Sequence, residues 1–197
     1  DKDRMIHAMN RTRRKQSKYG PRSATSLWAY VKRLNNNRAK KTASAIVEFA
    51  AQNSVDVIVM EHLDFKCCKK RGSKAQKLSM WNHGAIRKCV EQKAHLRGIR
   101  IATICAWKTS ALAFDGSGSV ARDDNNHALA TFTTGKQYNC DLSASYNIGA
   151  RYFIRELLKS LSATEKSRVK AKVPDVGRRT SCTLSTLRTL VKELAAA

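Results

Sequence analysis

The chain has 197 residues and 22.0 kDa, enough for one ordinary domain, and its 42% hydrophobic content excludes a wholly disordered basic tail because a core can be buried. Lys and Arg number 38 against 15 Asp and Glu, a formal net charge of +23 and a pI near 10.3; self-repulsion on that scale calls for a polyanionic partner, and nucleic acid is the usual one. No apolar run approaches the ~18–20 residues that span a bilayer, and no charged-then-apolar leader is present, so neither secretion nor membrane insertion is expected.

Residues 1–42 hold thirteen basic and two acidic side chains, including the run Arg11-Thr12-Arg13-Arg14-Lys15. The opening Asp1-Lys2-Asp3, with no initiator Met, reads as a fragment or a processed product. A basic segment 1–22 ends at the breaker Gly20-Pro21, and Ser23 or Thr25 then offers an N-cap. Leu27, Tyr30, Val31 and Leu34, then Ile46, Phe49 and Ala50, recur at helical spacing, so 24–52 is expected to form one long helix or two. Val55 to Met60 is a β-branched apolar run of the kind that forms a strand buried in an α/β sheet, ending at Glu61. Residues 66–77 carry six basic and no acidic residues, a basic loop. A helix is expected over 79–97, with Met80, Trp81, Ile86, Val90 and Leu96 facing inward and Gly98 as its stop, followed by a strand over 99–104. Helix, strand, helix, strand in that order predicts an α/β layer with parallel strands. Residues 107–139, with three glycines and Asp123-Asp124-Asn125-Asn126, read as a polar loop with at most a short hairpin. From Asp141 the stripe Leu142, Tyr146, Gly149, Phe153, Leu157 and Leu161 predicts a helix to 161. A basic tail over 162–197 is expected to contain a last helix at 183–195.

Two carboxylates stand out by position. Glu61 lies at the carboxyl end of the clearest strand, where ligands gather in open α/β sheets, and reads equally as a solvated turn residue. Asp141 reads first as an N-cap. Taken together, two carboxylates at one sheet rim suit a hard divalent cation such as magnesium, and a pair of such ions supports phosphodiester hydrolysis. The five histidines show no ligand spacing and the six cysteines no C-x-x-C pair; the cysteines read as small, semi-buried hydrophobes in a reducing cytosol. No Walker loop, GxGxxG or G-x-S-x-G elbow occurs.

Val57-Ile58-Val59-Met60-Glu61-His62-Leu63 resembles the second RuvC motif of the TnpB nucleases and type V CRISPR effectors, a hydrophobic strand ending in Glu. Asp141-Leu142-Ser143-Ala144-Ser145-Tyr146-Asn147-Ile148 resembles their third motif, Asp-x-Asn-Ala-Ala-x-Asn-Ile, with Ser143 and Ser145 in place of Asn and Ala. Trp81, Lys93-Ala94, Gly98 and Thr109-Ser110 fall where the family has its intervening W…KA…G…TS pattern, so the resemblance spans about residues 10–160. It departs from the family at the zinc ribbon, whose cysteine pairs would fall near Ala113 and Gly116 and near Thr133-Thr134-Gly135. Cys140 alone cannot make a tetrahedral site, so zinc is not expected.

The resemblance implies an α/β fold of the RNase H-like (RuvC) type, present as its later half: core over 23–106 and 140–161, with a degenerate, metal-free zinc-ribbon loop at 107–139. It implies RNA-guided hydrolysis of DNA phosphodiesters with guide RNA and target DNA as partners, in the cytoplasm of a prokaryote near its nucleoid, with no membrane. Glu61 and Asp141 would bind Mg2+ or Mn2+ together with a third Asp supplied by upstream sequence of the same protein. Arg11, Arg13, Arg14, Lys69, Lys70 and Arg71 are the expected nucleic-acid contacts. The alternatives are an RNA-guided DNA-binding protein with an incomplete nuclease centre, and a plain basic RNA-binding protein.

Overall fold

A computed structural model describes residues 2–63, 80–178 and 180–196. They fall into two compact units, one comprising 1–58 and 65–101, the other 59–64 and 102–197. Expected features at 66–77, with Lys69, Lys70 and Arg71, lie outside the described residues.

The first unit is helical. Helix α1 (Lys2–Tyr19) buries Met5, Ala8 and Thr12, one turn apart each, while Arg4, Arg11, Arg13, Arg14, Lys15 and Lys18 are exposed. Gly20 turns the chain at φ 87°, a left-handed conformation that glycine adopts without Cβ strain, and Pro21 opens a 3-10 turn, Pro21–Ala24. That turn runs straight into α2 (Thr25–Gln52), a single helix whose N-cap position is Ala24, so the expected Ser23 or Thr25 cap is not used. The Ser23 hydroxyl instead donates to the Gly20 carbonyl at 2.7 Å. The buried residues of α2 are Val31, Asn35, Ala39, Ala43, Val47 and Ala50, an i, i+4 ridge dominated by small side chains that allows close helix approach. Phe49, expected inside, is exposed because the ridge turns away from it. Arg4 Nε donates to the Tyr30 hydroxyl at 3.0 Å and ties α1 to α2. Helix α3 (His83–His95) buries Val90 and Ala94. It starts after Asn82, held at φ 55° with its side chain donating to the Asn35 carbonyl on α2. Trp81 and Leu96, expected inward, are exposed, and Gly98 at φ 70° ends the turn as expected.

Strands β1 (Val57–His62) and β2 (Arg100–Cys105) pair in a two-stranded sheet, and the boundary between the units crosses both. The strand continues past the apolar run through Glu61 and His62, so Glu61 lies within it.

The second unit differs most from expectation. Residues 107–139 hold a three-stranded antiparallel sheet, β3 (Ala121–Arg122), β4 (Leu129–Thr131) and β5 (Gln137–Asn139), in which Ala130 faces both Arg122 and Tyr138. Its core is Ala113, Ala130, Phe132 and Cys140, edged by Phe114, Val120 and Tyr138. Sequence patterning understates this sheet because its strands are two or three residues long and its apolar positions are set by aromatic contacts, Phe114 meeting Phe132, Tyr138 and Tyr146 edge-on. Helix α4 (Cys140–Ser160) follows. It buries Cys140, Ser143, Ala144, Asn147, Ala150, Arg151, Tyr152 and Ile154, whereas Leu142, Tyr146 and Phe153 of the expected stripe are exposed. The tail is folded: α5 (Ala163–Lys172) with a Ser162–Glu165 capping box, a 3-10 turn at Pro174–Gly177, and α6 (Leu184–Ala195) with a Thr183–Thr186 box. Ile154, Val169, Val173, Val176, Cys182 and Leu190 form their shared core. Helices thus combine with small sheets, the larger of them antiparallel. Among the described residues no helix is long and apolar enough to cross a membrane.

Candidate functional site

Every contact of the candidate site lies within the second unit. Glu61, half-buried on β1, accepts a hydrogen bond on Oε1 from the buried Thr109 hydroxyl at 2.5 Å. Thr109 sits in the turn after β2, which Lys108 shapes with a left-handed φ of 59°. The same hydroxyl is 3.0 Å from the Ala106 carbonyl, and the shorter contact to Glu61 takes its single proton.

Asn147 fixes this turn to α4. It is fully buried (0% exposed); its Nδ2 donates to the carbonyls of Thr109 and Leu112 at 3.0 and 2.9 Å, and its Oδ1 accepts from the Leu184 amide at 3.3 Å. One side chain thereby joins the Glu61 partner, the central helix and the start of α6. Arg151, one turn further along and 6% exposed, donates to four carbonyls: Trp107 at 2.7 Å, Thr180 at 2.8 Å, Cys105 at 2.9 Å and Cys182 at 3.2 Å. Burial pulls its guanidinium below the ordinary arginine value, against the opposing pull of Cys182, Cys105 and Glu61. Sequence reading missed both roles. The available signal was two polar residues in the phase of Cys140, Ser143 and Ala144, and the more apolar stripe beside it obscured them.

Asp141 stands in the first turn of α4, and it is not the cap. Asn139 fills that position, accepting from the amides of Asp141 and Leu142 at 3.0 and 2.9 Å. The Asp141 carboxylate is exposed, and among the described residues neither it nor Oε2 of Glu61 is engaged in a hydrogen bond or ion pair. Both carboxylates therefore offer hard oxygen donors, the chemistry that suits magnesium, which takes one or two carboxylates and keeps its remaining positions for water and phosphate. Among the described residues no group of three His, Cys, Asp or Glu side chains converges. Cys140 is buried in the aromatic core, its Sγ toward the Ser110 carbonyl. Arg11, Arg13 and Arg14 are exposed on α1, in the first unit.

No protein-family model matches the chain, and neither does any curated protein. Fifteen chains of solved structure do. One belongs to a cryo-EM structure of a Cas12f1–sgRNA–target DNA complex, with a TM-score of 0.53 and 17% sequence identity. The match covers 73% of this chain and 41% of that one, so this chain spans under half of its neighbour's length. The fold of this chain is similar to that part of the Cas12f1 chain.

Proposed function

We propose that this chain is the later, catalytic half of an RNA-guided DNA endonuclease of the TnpB and type V CRISPR effector kind, with an RNase H-like (RuvC) core. The observation that carries the reading is the linkage Glu61–Thr109–Asn147, which ties the acidic end of β1 to the helix whose first turn bears Asp141. The two motif residues Glu61 and Asn147 thus have interlocking roles that an unrelated basic protein has no need of. The Cas12f1 likeness supports the fold on which this reading rests.

In this reading Glu61 and Asp141 hold Mg2+ or Mn2+ with a third carboxylate from outside these residues, and guide RNA and target DNA are the partners. The bound ions would activate water and stabilise the leaving oxygen of the phosphodiester. The chain's own part is positional. Thr109 fixes the carboxylate of Glu61, Asn147 holds Thr109, and Arg151 locks the carbonyls around that turn. Exposed arginines of α1 hold backbone phosphates, a sequence-independent role. In the complete protein, Glu61→Gln or Asp141→Asn is expected to abolish cleavage while guided DNA binding persists. Survival of cleavage in either variant refutes the assignment.

A further inference from the structure

A cavity of about 500 Å³ opens in the second unit between β2, α4 and α5, and neither Glu61 nor Asp141 is among its lining residues. Its volume lies in the range of small-molecule sites. Ile104, Ile154, Leu158 and Val176 give it apolar walls. Its charged lining is of one sign: Arg151, Arg155, Lys159, Lys166 and Lys170, with no carboxylate among the lining residues. Glu156 beside it pairs with Arg155 at 2.9 Å and with Lys159 at 3.0 Å. Lys166 and Lys170, one turn apart on α5, have no ion pair among the described residues.

The guanidinium-bearing wall is pre-set. Arg151 is spent on backbone carbonyls, and Arg155 donates to Thr103 at 2.8 Å while lying over the Tyr152 ring. Two unpaired ammonium groups beside an apolar recess fit a ligand with a flat or apolar body and a phosphate at one end. Inorganic phosphate would leave the recess in contact with water, and a neutral apolar molecule would leave the lysines without a counter-charge.

We propose that this cavity binds a single nucleotide unit, its base against Ile104, Ile154 and Leu158 and its phosphate on Lys166 and Lys170. The choice of a nucleoside as the apolar body rests on the nucleic-acid reading above. Two sources supply that chemistry, a free mononucleotide and an unstacked nucleotide of a bound strand.

The test is calorimetric titration of the full chain with AMP, adenosine, inorganic phosphate and a 5′-phosphorylated octadeoxyadenylate. AMP is expected to bind one per chain, at least tenfold tighter than adenosine or phosphate. Lys166→Glu/Lys170→Glu is expected to weaken AMP at least tenfold. Gly177 also lines the cavity, and a Cβ there meets nothing within 4 Å, so Gly177→Trp fills space without changing charge and is expected to abolish AMP binding. An octamer that displaces AMP at tenfold lower concentration identifies a strand nucleotide as the occupant; one that does not identifies the free nucleotide. Phosphate binding as tightly as AMP, or AMP binding unchanged in both variants, overturns the proposal. Arg11→Gln/Arg13→Gln/Arg14→Gln separates the two readings: it is expected to weaken duplex DNA and leave AMP within twofold. DNA binding that ignores the triple change counts against the α1 contacts alone.

Discussion

Replacing Asn147 by Ala removes a side chain that connects the Glu61 turn, the central helix and α6. Its loss strips partners from two carbonyls, Thr109 and Leu112, and from the Leu184 amide, in a site with no exposure. At a net ~1 kcal/mol per hydrogen bond the three bonds amount to about 3 kcal/mol, and stranded buried groups push the cost toward ~5. With a urea slope of about 2 kcal/mol/M the midpoint should fall by about 1.5 M or more. Trp107 fluorescence, in a Trp28→Phe/Trp81→Phe background, follows the second unit alone. The control lies one turn earlier on the same buried face. Among the described residues Ser143 Oγ is buried without a hydrogen-bond partner, so Ser143→Ala removes an unsatisfied group and should be neutral or stabilising by up to ~1 kcal/mol. A midpoint for Asn147→Ala within ~0.5 M of the parent, or an equal loss in Ser143→Ala, would refute the reasoning that hydrogen-bond satisfaction, and not burial alone, holds this helix face.

Three further outcomes are expected. Glu165, in its capping box, is held below its ordinary 4.5 by hydrogen bonds from the Ser162 hydroxyl and amide. A depressed folded value stabilises above the unfolded value and is lost as pH falls through the folded one, so the stability gap to Glu165→Gln, read by urea melts, should be full at pH 7 and close as pH falls through the depressed folded value. Gly116 sits at φ 84° with a Cβ position 2.9 Å from Ser185 Cβ; Gly116→Ala should cost about 2 kcal/mol or more, partly recovered by Ser185→Gly, and additive losses would argue against the clash. The Arg11, Arg13, Arg14 triple Gln variant should reduce the salt slope of DNA affinity by roughly 2–3, since each phosphate contact contributes about 0.9, and an unchanged slope would remove α1 from the interface.

The regular elements were readable where local chemistry is decisive. The β-branched run at 55–60 made a strand that starts two residues later, at Val57, Gly98 ended a helix turn, and the last helix begins within one residue of its expected start. The faces of the helices were less readable. Helical periodicity admits more than one stripe, and α2 and α4 bury alanines, Ser143, Asn147 and Arg151 while exposing Phe49 and Phe153. The partners that satisfy the buried Asn147, namely Thr109, Leu112 and Leu184, arrive from distant segments, and no local pattern encodes that. The same holds for 107–139, whose short strands depend on an aromatic core completed by Tyr146 of the following helix. Glu61 and Asp141 were legible as motif residues; the Thr109 hydrogen bond and the Asn139 cap that frees Asp141 from capping were not.

Locating the ion tests whether Glu61 and Asp141 together hold a divalent cation. Fe2+ substituted for Mg2+ in the protein, with ascorbate and peroxide, cuts the polypeptide near wherever it is bound. Backbone cuts are expected to cluster at Glu61, Thr109 and Asp141, to be suppressed by excess Mg2+ and to be lost in both Glu61→Gln and Asp141→Asn. Cuts that cluster elsewhere, or that persist in either variant, would contradict that assignment.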